Sequence, residues 1–419
     1  MDEKLLNALR EIAHPLRTVV ADDNFSDLQP LKSILQGVNI IGLGESTHGT
    51  REIFQLKHRL TRFLVEQMGF RVFTIEAGVE PCRNINDYVM MGKGDKHRAL
   101  SSQGYWTWDT AEVMDMIDWM REHNLRCRRG DECQFLGYDM KPIEGACDRL
   151  LDYLPPLGGA DQAKIEEVLL ACRNTVWMQS GQKVRPDILW LLGWLRLHEK
   201  ELVAASCPAS FSLAVENATY IFQYMDCMVG YNENPSVLRD RDFYMAENVM
   251  RIFDAQPRGS KIIVWAHNGH IAVDKEWKNL GWELRQRYGS TYYPMAIGFG
   301  KGGFQSRSMP ADDFSQMGAL LGFSRNEPLK DSWDEDLDHA FASNHYLDLR
   351  GEGAQNAEVR GWMRQNKQAF SVGAGYSADL PQGKYQEYYC PNYVISEHFD
   401  GAVFLKSVQR ARPNPNGVR

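Results

Sequence analysis

The 419-residue chain lacks the features that mark several common protein classes. No apolar run reaches the roughly 18 residues of a membrane span, so no membrane partner is expected. The opening MDEKLLNALREIAHPL is charged and amphipathic, unlike the apolar centre of a signal peptide, and a cytoplasmic protein is expected. The eight cysteines include no C-x-x-C pair. Reduced, mostly buried thiols are therefore expected, not a disulfide framework. Basic residues are not in excess: the net charge is −8. The one basic cluster, at 126–129, runs straight into Asp131 and Glu132, so no nucleic-acid partner is expected. There is no G-x-S-x-G elbow around any serine, no P-loop and no dinucleotide fingerprint. These absences count against a serine nucleophile and against nucleotide chemistry. Repeats and low-complexity tracts are also missing.

What is present is ordinary globular usage, 43% hydrophobic and 24% charged, with eleven tryptophans and seventeen tyrosines. That many aromatics argues for large buried or binding surfaces. The length suits one large domain or a core with an insertion. Residues 38–47 are apolar and β-branched, then glycine-containing, which reads as a buried strand running into a loop. Residues 50–67 carry Ile53, Leu56, Leu60, Phe63 and Leu64 on one helical face, and Gly69 ends the helix. A second buried strand spans 70–75 and ends at Glu76. The pattern recurs with a helix at 111–123 and strands at 134–139, 261–266, 293–298 and 401–405. Strands alternating with helices predict an α/β fold with a mostly parallel central sheet flanked by helices.

Between 147 and 252 the patterns are helical, at 161–178, 185–204 and 210–228. The expected organisation is a first part of the core at 1–146, a helical insertion or cap at 147–252, and a second part of the core at 253–419. The glycine-rich stretch 298–303 and the polar stretch 304–338 are expected to be loops. The tail from Arg410 is expected to fray.

In an open α/β sheet, ligands bind beyond the carboxyl ends of the strands. Four expected strands put ionisable groups there: Glu45 and His48, Glu76, Asp139, and His267 with His270. A histidine can take a proton from water, and a neighbouring carboxylate can orient it. A second histidine or a cation can stabilise the oxyanion formed when water attacks an ester. Other readings exist. His48 could start a helix, Glu76 could cap one, and Asp139 could be a structural acceptor. Arg59 and Arg62 share a helix with Lys57 and could form a solvated face, a reading favoured for Arg62. Trp106 and Trp108 could be core or cleft wall. Arg241 and Asp242 could reach the cleft from the helical insertion.

At these residues the chain resembles the erythromycin esterase family. The matching segments are GLGESTHGTREIFQLKHRL, FTIEAG, FLGYDM and VWAHNGHI, with weaker matches at RDRDFYMAENV and HFDGAVF. They lie in the family's order from residue 38 to residue 405. The resemblance implies hydrolysis of an ester or lactone, such as a macrolide, by histidine-activated water without a covalent serine intermediate. It implies His48 as the base, Glu45, Glu76, His267 and His270 as catalytic partners, and no cofactor. Substrate contacts are expected from Lys57, Arg59, Trp106, Trp108, Asp139 and Arg241. Lys57 stands where the family often has arginine, which keeps the charge but loses the planar fork. The motif GESTHGT followed by KHRL is closer to family members of unknown substrate than to those that inactivate macrolides.

Two other classes remain open. His48, His267, His270 and a glutamate could form a zinc or manganese site. The G-E-x-x-H arrangement also resembles Tiki-type metalloproteases and haem-binding lipoproteins, and a metal- or haem-binding module is the third class. The partner expected on the leading reading is a small-molecule ester or lactone.

Overall fold

The computed structural model describes residues 2–21, 24–154, 159–175, 184–233, 238–311 and 316–415. Its strands are β1 (Ala13–Pro15), β2 (Ile40–Leu43), β3 (Val72–Gly78), β4 (Gln134–Asp139), β5 (Ile262–Trp265), β6 (Tyr292–Ser308), β7 (Leu320–Arg325), β8 (His345–Asp348), β9 (Asn366–Gln368), β10 (Gly375–Tyr376), β11 (Asn392–Val394) and β12 (Gly401–Val408). The main sheet runs β1-β8-β12-β6-β2-β5-β3-β4. From β12 to β4 every neighbouring pair is parallel. Two antiparallel strands, β8 and β1, finish the other edge.

The central strands β2 and β5 are buried at every position, as a strand covered on both faces must be. Successive residues feed opposite cores. Ile40, Val72 and Ile262 point to one side, and Ile41, Phe73 and Ile263 to the other. Burying each such side chain contributes about 1.5–3 kcal/mol over leaving it exposed. The helix Arg51–Met68 lays Ile53, Phe54, Leu56, Phe63 and Leu64 on the second core and stops at Gly69, whose φ of 77° is the left-handed cap.

The described part of 147–252 is helical apart from short connections, with helices Gly159–Arg173, Arg185–Leu197, Glu199–Ala205, Pro208–Glu233 and Leu238–Asp254. Positions 176–178 of the expected first helix lie outside the described residues. Leu169, Leu191, Leu195, Ile221 and Val249 share an unbroken core with Ile262 and Val264 of β5.

Three expectations are corrected. The glycine-rich stretch 298–303 is not a loop but the middle of β6, paired with β12. Glycine is needed there for close approach: a Cβ on Gly302 would lie 1.9 Å from the Val408 carbonyl oxygen. The stretch 304–338 is not all loop either. β6 runs on to Ser308, β7 pairs with it antiparallel, and a helix spans Trp333–Ala340. Phe304 anchors this part, its ring 5.2 Å from Tyr376 and 5.6 Å from Phe370. The tail is pinned as far as Asn414. Arg410 bridges to Thr50, and Asn414 Nδ2 donates to Asp109 Oδ1 at 2.8 Å.

All eight cysteines are free thiols, six of them buried. Among the described residues no helix is long and apolar enough to cross a membrane.

Candidate active site

The strands β2, β5, β3 and β4 are consecutive neighbours, so the residues at their carboxyl ends meet along one edge. Glu45 and His48 follow β2. Glu76 lies near the carboxyl end of β3, Asp139 ends β4, and His267 and His270 follow β5. Glu45, Glu76, Asp139, His48 and His267 are all buried. The turn after β5 is laced into the sheet by Asn268. Its Nδ2 donates to the Ile297 carbonyl at 3.0 Å and its Oδ1 accepts from the Ile297 amide at 3.1 Å. Gly44 leaves room for that amide, since a Cβ there would lie 2.0 Å from Asn268 Oδ1.

Glu45 is the hub of one network. Its Oε1 is 2.6 Å from His48 Nδ1 and its Oε2 is 2.6 Å from Lys57 Nζ. Burial alone would raise the Glu45 carboxyl, but Lys57 and His48 outweigh it and hold it below the ordinary carboxylate range. With Nδ1–H committed to Glu45, His48 is left with Nε2 as an acceptor. Trp108 and His267 flank the ring, at centroid distances of 5.9 Å and 5.1 Å.

A second network joins Glu76, His270, Arg241, Asp139 and Asp242. Glu76 Oε1 lies 3.0 Å from Arg241 Nη2 and 3.1 Å from His270 Nε2. Its Oε2 accepts from the His267 amide at 3.1 Å. Arg241 also reaches Asp139 Oδ2 at 2.7 Å, and His270 Nδ1 reaches Asp242 Oδ1 at 2.7 Å. Burial opposes the charge on Glu76, yet His270 and Arg241 hold it well below the carboxylate range. Burial also opposes charge on His270, but Asp242 and Glu76 push it up to about 10. His270 is therefore an imidazolium at neutral pH. Its Nε2 and Arg241 Nη1, both donors, stand 3.4 Å apart, a closeness that Glu76 between them makes tolerable.

His267 differs from its neighbours. Burial, then His48 and His270, lower it to about 3. The neutral ring can donate from Nε2 to the Ser46 carbonyl at 3.3 Å and accept at Nδ1 from the Gly269 amide at 3.3 Å.

Not every expected contact reaches this edge. Lys57 is fully buried behind Glu45, with its ammonium 4.2 Å from the Trp265 ring centroid. It holds Glu45 and faces no cleft, which corrects its assignment as a substrate contact. Burial lowers its ammonium to about 8, still charged at neutral pH. Arg59 is also misassigned. It is fully buried and grips Asp27 through both nitrogens, at 2.6 Å and 3.0 Å, together with the carbonyls of Thr18 and Asn24. Two residues past Lys57 means about 200° around a helix, hence the far side. Trp108 packs on His48, whereas Trp106 lines a neighbouring cavity. Arg241 and Asp139 stand inside the second network.

Sequence reasoning named Asp242, together with Arg241, as a residue that could reach the cleft, and missed Asn268. The signal for Asn268 was its place between the two strand-end histidines. Size alone does not mark this chemistry: a groove of about 810 Å³ lined by His58, Trp119 and His123 involves none of these residues. Among the described residues no three metal-binding side chains are grouped to hold an ion. His48 Nδ1 faces Glu45, His267 Nε2 faces Ser46, and both His270 nitrogens face carboxylates, so the imidazoles do not converge on one point.

Comparison with known proteins points in one direction. The family described as Erythromycin esterase matches residues 65–408, a span that begins after Glu45, His48 and Lys57. YbfO of Bacillus subtilis (strain 168), named as a hydrolase, is 25% identical over 305 residues, covering 65% of this chain and 67% of that protein. An Escherichia coli protein named erythromycin esterase type II is 24% identical over 298 residues, covering 61% of this chain and 66% of that protein. The matched region thus spans about two thirds of the length of each relative. A crystal structure of a Bacillus cereus protein superposes with a TM-score of 0.82 at 22% identity over 98% of both chains, which shows a shared fold.

Proposed function

The chain belongs to the erythromycin esterase family, a family of hydrolases, and on that premise we propose that it cleaves an ester or lactone with water activated by His48. The observation that carries this reading is the Glu45–His48 contact at 2.6 Å, which leaves Nε2 of the imidazole as the base. His48 Nε2 takes a proton from water as its oxygen attacks the ester carbonyl. Glu45 stabilises the imidazolium, and Lys57 keeps Glu45 ionised and in place. The tetrahedral oxyanion forms in the field of Arg241 and His270, two cations fixed by Glu76, Asp139 and Asp242. Collapse breaks the bond to the leaving oxygen, which takes the proton back from His48. The products are a carboxylic acid and an alcohol, or one hydroxy acid from a lactone.

This reading needs no covalent enzyme intermediate and no metal. Relatives named for erythromycin make a macrolide lactone the first substrate to try, beside aryl esters and small lactones. The test measures product masses across that panel, in water enriched in heavy oxygen and with chelator present. Label in the acid product, no burst phase and unchanged rates with chelator are expected. A burst of alcohol ahead of acid would overturn the direct attack of water, and activity restored only by added zinc would overturn the metal-free mechanism.

A further inference from the structure

The long strand β6 does more than complete the sheet. Its residues 292–295 pair with β2, and the strand then continues past the edge where the catalytic groups sit. Beyond that edge it forms one wall of a cavity of about 520 Å³, within the size range of small-molecule sites. Tyr105, Trp106, Asp109, Gln305, Arg307 and Arg410 line it.

Two contacts tie this cavity to His48. On one side, the Gln305 amide donates to the Gly49 carbonyl at 3.0 Å, immediately after His48. The fit is tight, since a Cβ on Gly49 would lie 2.1 Å from the Gln305 carbonyl oxygen. On the other side, Tyr105 packs on Trp108 at 5.8 Å, and Trp108 packs on His48 at 5.9 Å. Two short chains of contact therefore link the cavity lining to the base, one through Gly49 and one through Trp108.

Its described lining carries more positive than negative charge. Among the described lining residues Asp109 is the one carboxylate, and it is occupied: Ser101 Oγ donates to its Oδ2 at 2.9 Å and Asn414 Nδ2 to its Oδ1 at 2.8 Å. Arg307 spends one nitrogen on the Gly318 carbonyl at 3.0 Å. Among the described residues neither arginine has an ion-pair partner, and the Arg410 guanidinium has no hydrogen-bond partner either. Leu320 and Leu321, 36% and 46% exposed, add an apolar rim to the same cavity. Two guanidinium groups with no ion-pair partner among the described residues, set beside apolar and aromatic surface, suit an organic anion.

We propose that this cavity is the specificity arm of the cleft, and that the natural ester carries a carboxylate that Arg307 and Arg410 bind while His48 acts on the ester. The proposal rests on the ester-hydrolase reading, and its test separates the two. Para-acetoxybenzoate and its neutral methyl ester are compared as substrates for the wild-type protein, Arg410→Glu and Arg307→Gln. Binding of para-hydroxybenzoate, which requires no turnover, is measured on the same proteins by calorimetry. The wild type is expected to favour the anionic ester in kcat/KM by about tenfold or more, as a charge-assisted contact provides. That ratio collapses in Arg410→Glu and falls in Arg307→Gln, with para-hydroxybenzoate binding weakened in parallel. Arg410 is exposed, so its replacement tests binding and not folding. Binding lost in Arg410→Glu with neither ester hydrolysed would sink the esterase reading and leave the anion site standing. Absence of saturable binding, or binding and ester preference indifferent to Arg410→Glu, would overturn the anion site whatever the esters do.

Discussion

Glu45 holds His48 Nδ1 at 2.6 Å with one carboxylate oxygen and Lys57 Nζ at 2.6 Å with the other, so the acid that orients His48 is itself fixed from the protein interior. The two functions of that acid can be taken apart. Glu45→Gln leaves the buried ammonium of Lys57 without an anion, an expected loss of about 3–5 kcal/mol in urea unfolding. Pairing it with Lys57→Met should recover most of that stability. Activity should stay depressed in both, because the His48 tautomer is no longer held. Recovery of activity in the double variant would reduce Glu45 to a structural partner of Lys57.

His48→Ala is expected to lower ester hydrolysis by roughly 10²–10⁴-fold, the range of a general base. The buried Glu45 loses one partner but keeps Lys57, so the thermal unfolding midpoint should fall only modestly. Turnover near the wild-type level would remove His48 from the mechanism.

His270 makes the protein sensitive to alkali. Its folded value near 10 lies above the ordinary 6.5, so the folded state binds the proton more tightly. The associated stability is complete below about pH 6.5 and is lost as pH rises through about 10. Lys57, lowered to about 8, works in the opposite sense above that pH, which makes the interval just below it the clean window. Between about pH 7 and pH 8 stability should fall with pH, and His270→Gln should flatten that slope by up to about 1.4 kcal/mol per pH unit. Identical slopes in urea titrations of the two proteins would mean that His270 is not held as an imidazolium.

Arg59→Met should unfold more easily by about 1–3 kcal/mol, because the half-buried Asp27 and the carbonyls of Thr18 and Asn24 lose their donor. The KM of the folded protein should not change. A raised KM with unchanged stability would return Arg59 to the substrate cleft.

Much of the candidate edge was legible in the sequence because strand ends announce themselves: an apolar run stops, and the next polar residue faces the edge. Glu45, Glu76, Asp139 and His267 were found that way. The depth of a helix face was not legible. Lys57 and Arg59 look alike as basic residues on one helix, yet one is sealed behind Glu45 and the other grips the amino-terminal segment. The glycines at 298–303 misled for a related reason. Glycine marks a turn, but it equally marks a strand whose neighbour comes too close for a Cβ, and only the position of β12 decides between them. The short edge strands β1 and β8, three and four residues long, carry too little pattern to stand out.

The amide of Asn268 stands in for a piece of missing strand. Through it the turn that bears His267 and His270 is hooked to the backbone of Ile297, so the histidines cannot shift while β6 stays still. Ile297 thereby becomes a natural reporter. Its amide proton should exchange with solvent only when the turn lets go, which makes a single resonance a gauge of whether this strand-end edge is assembled.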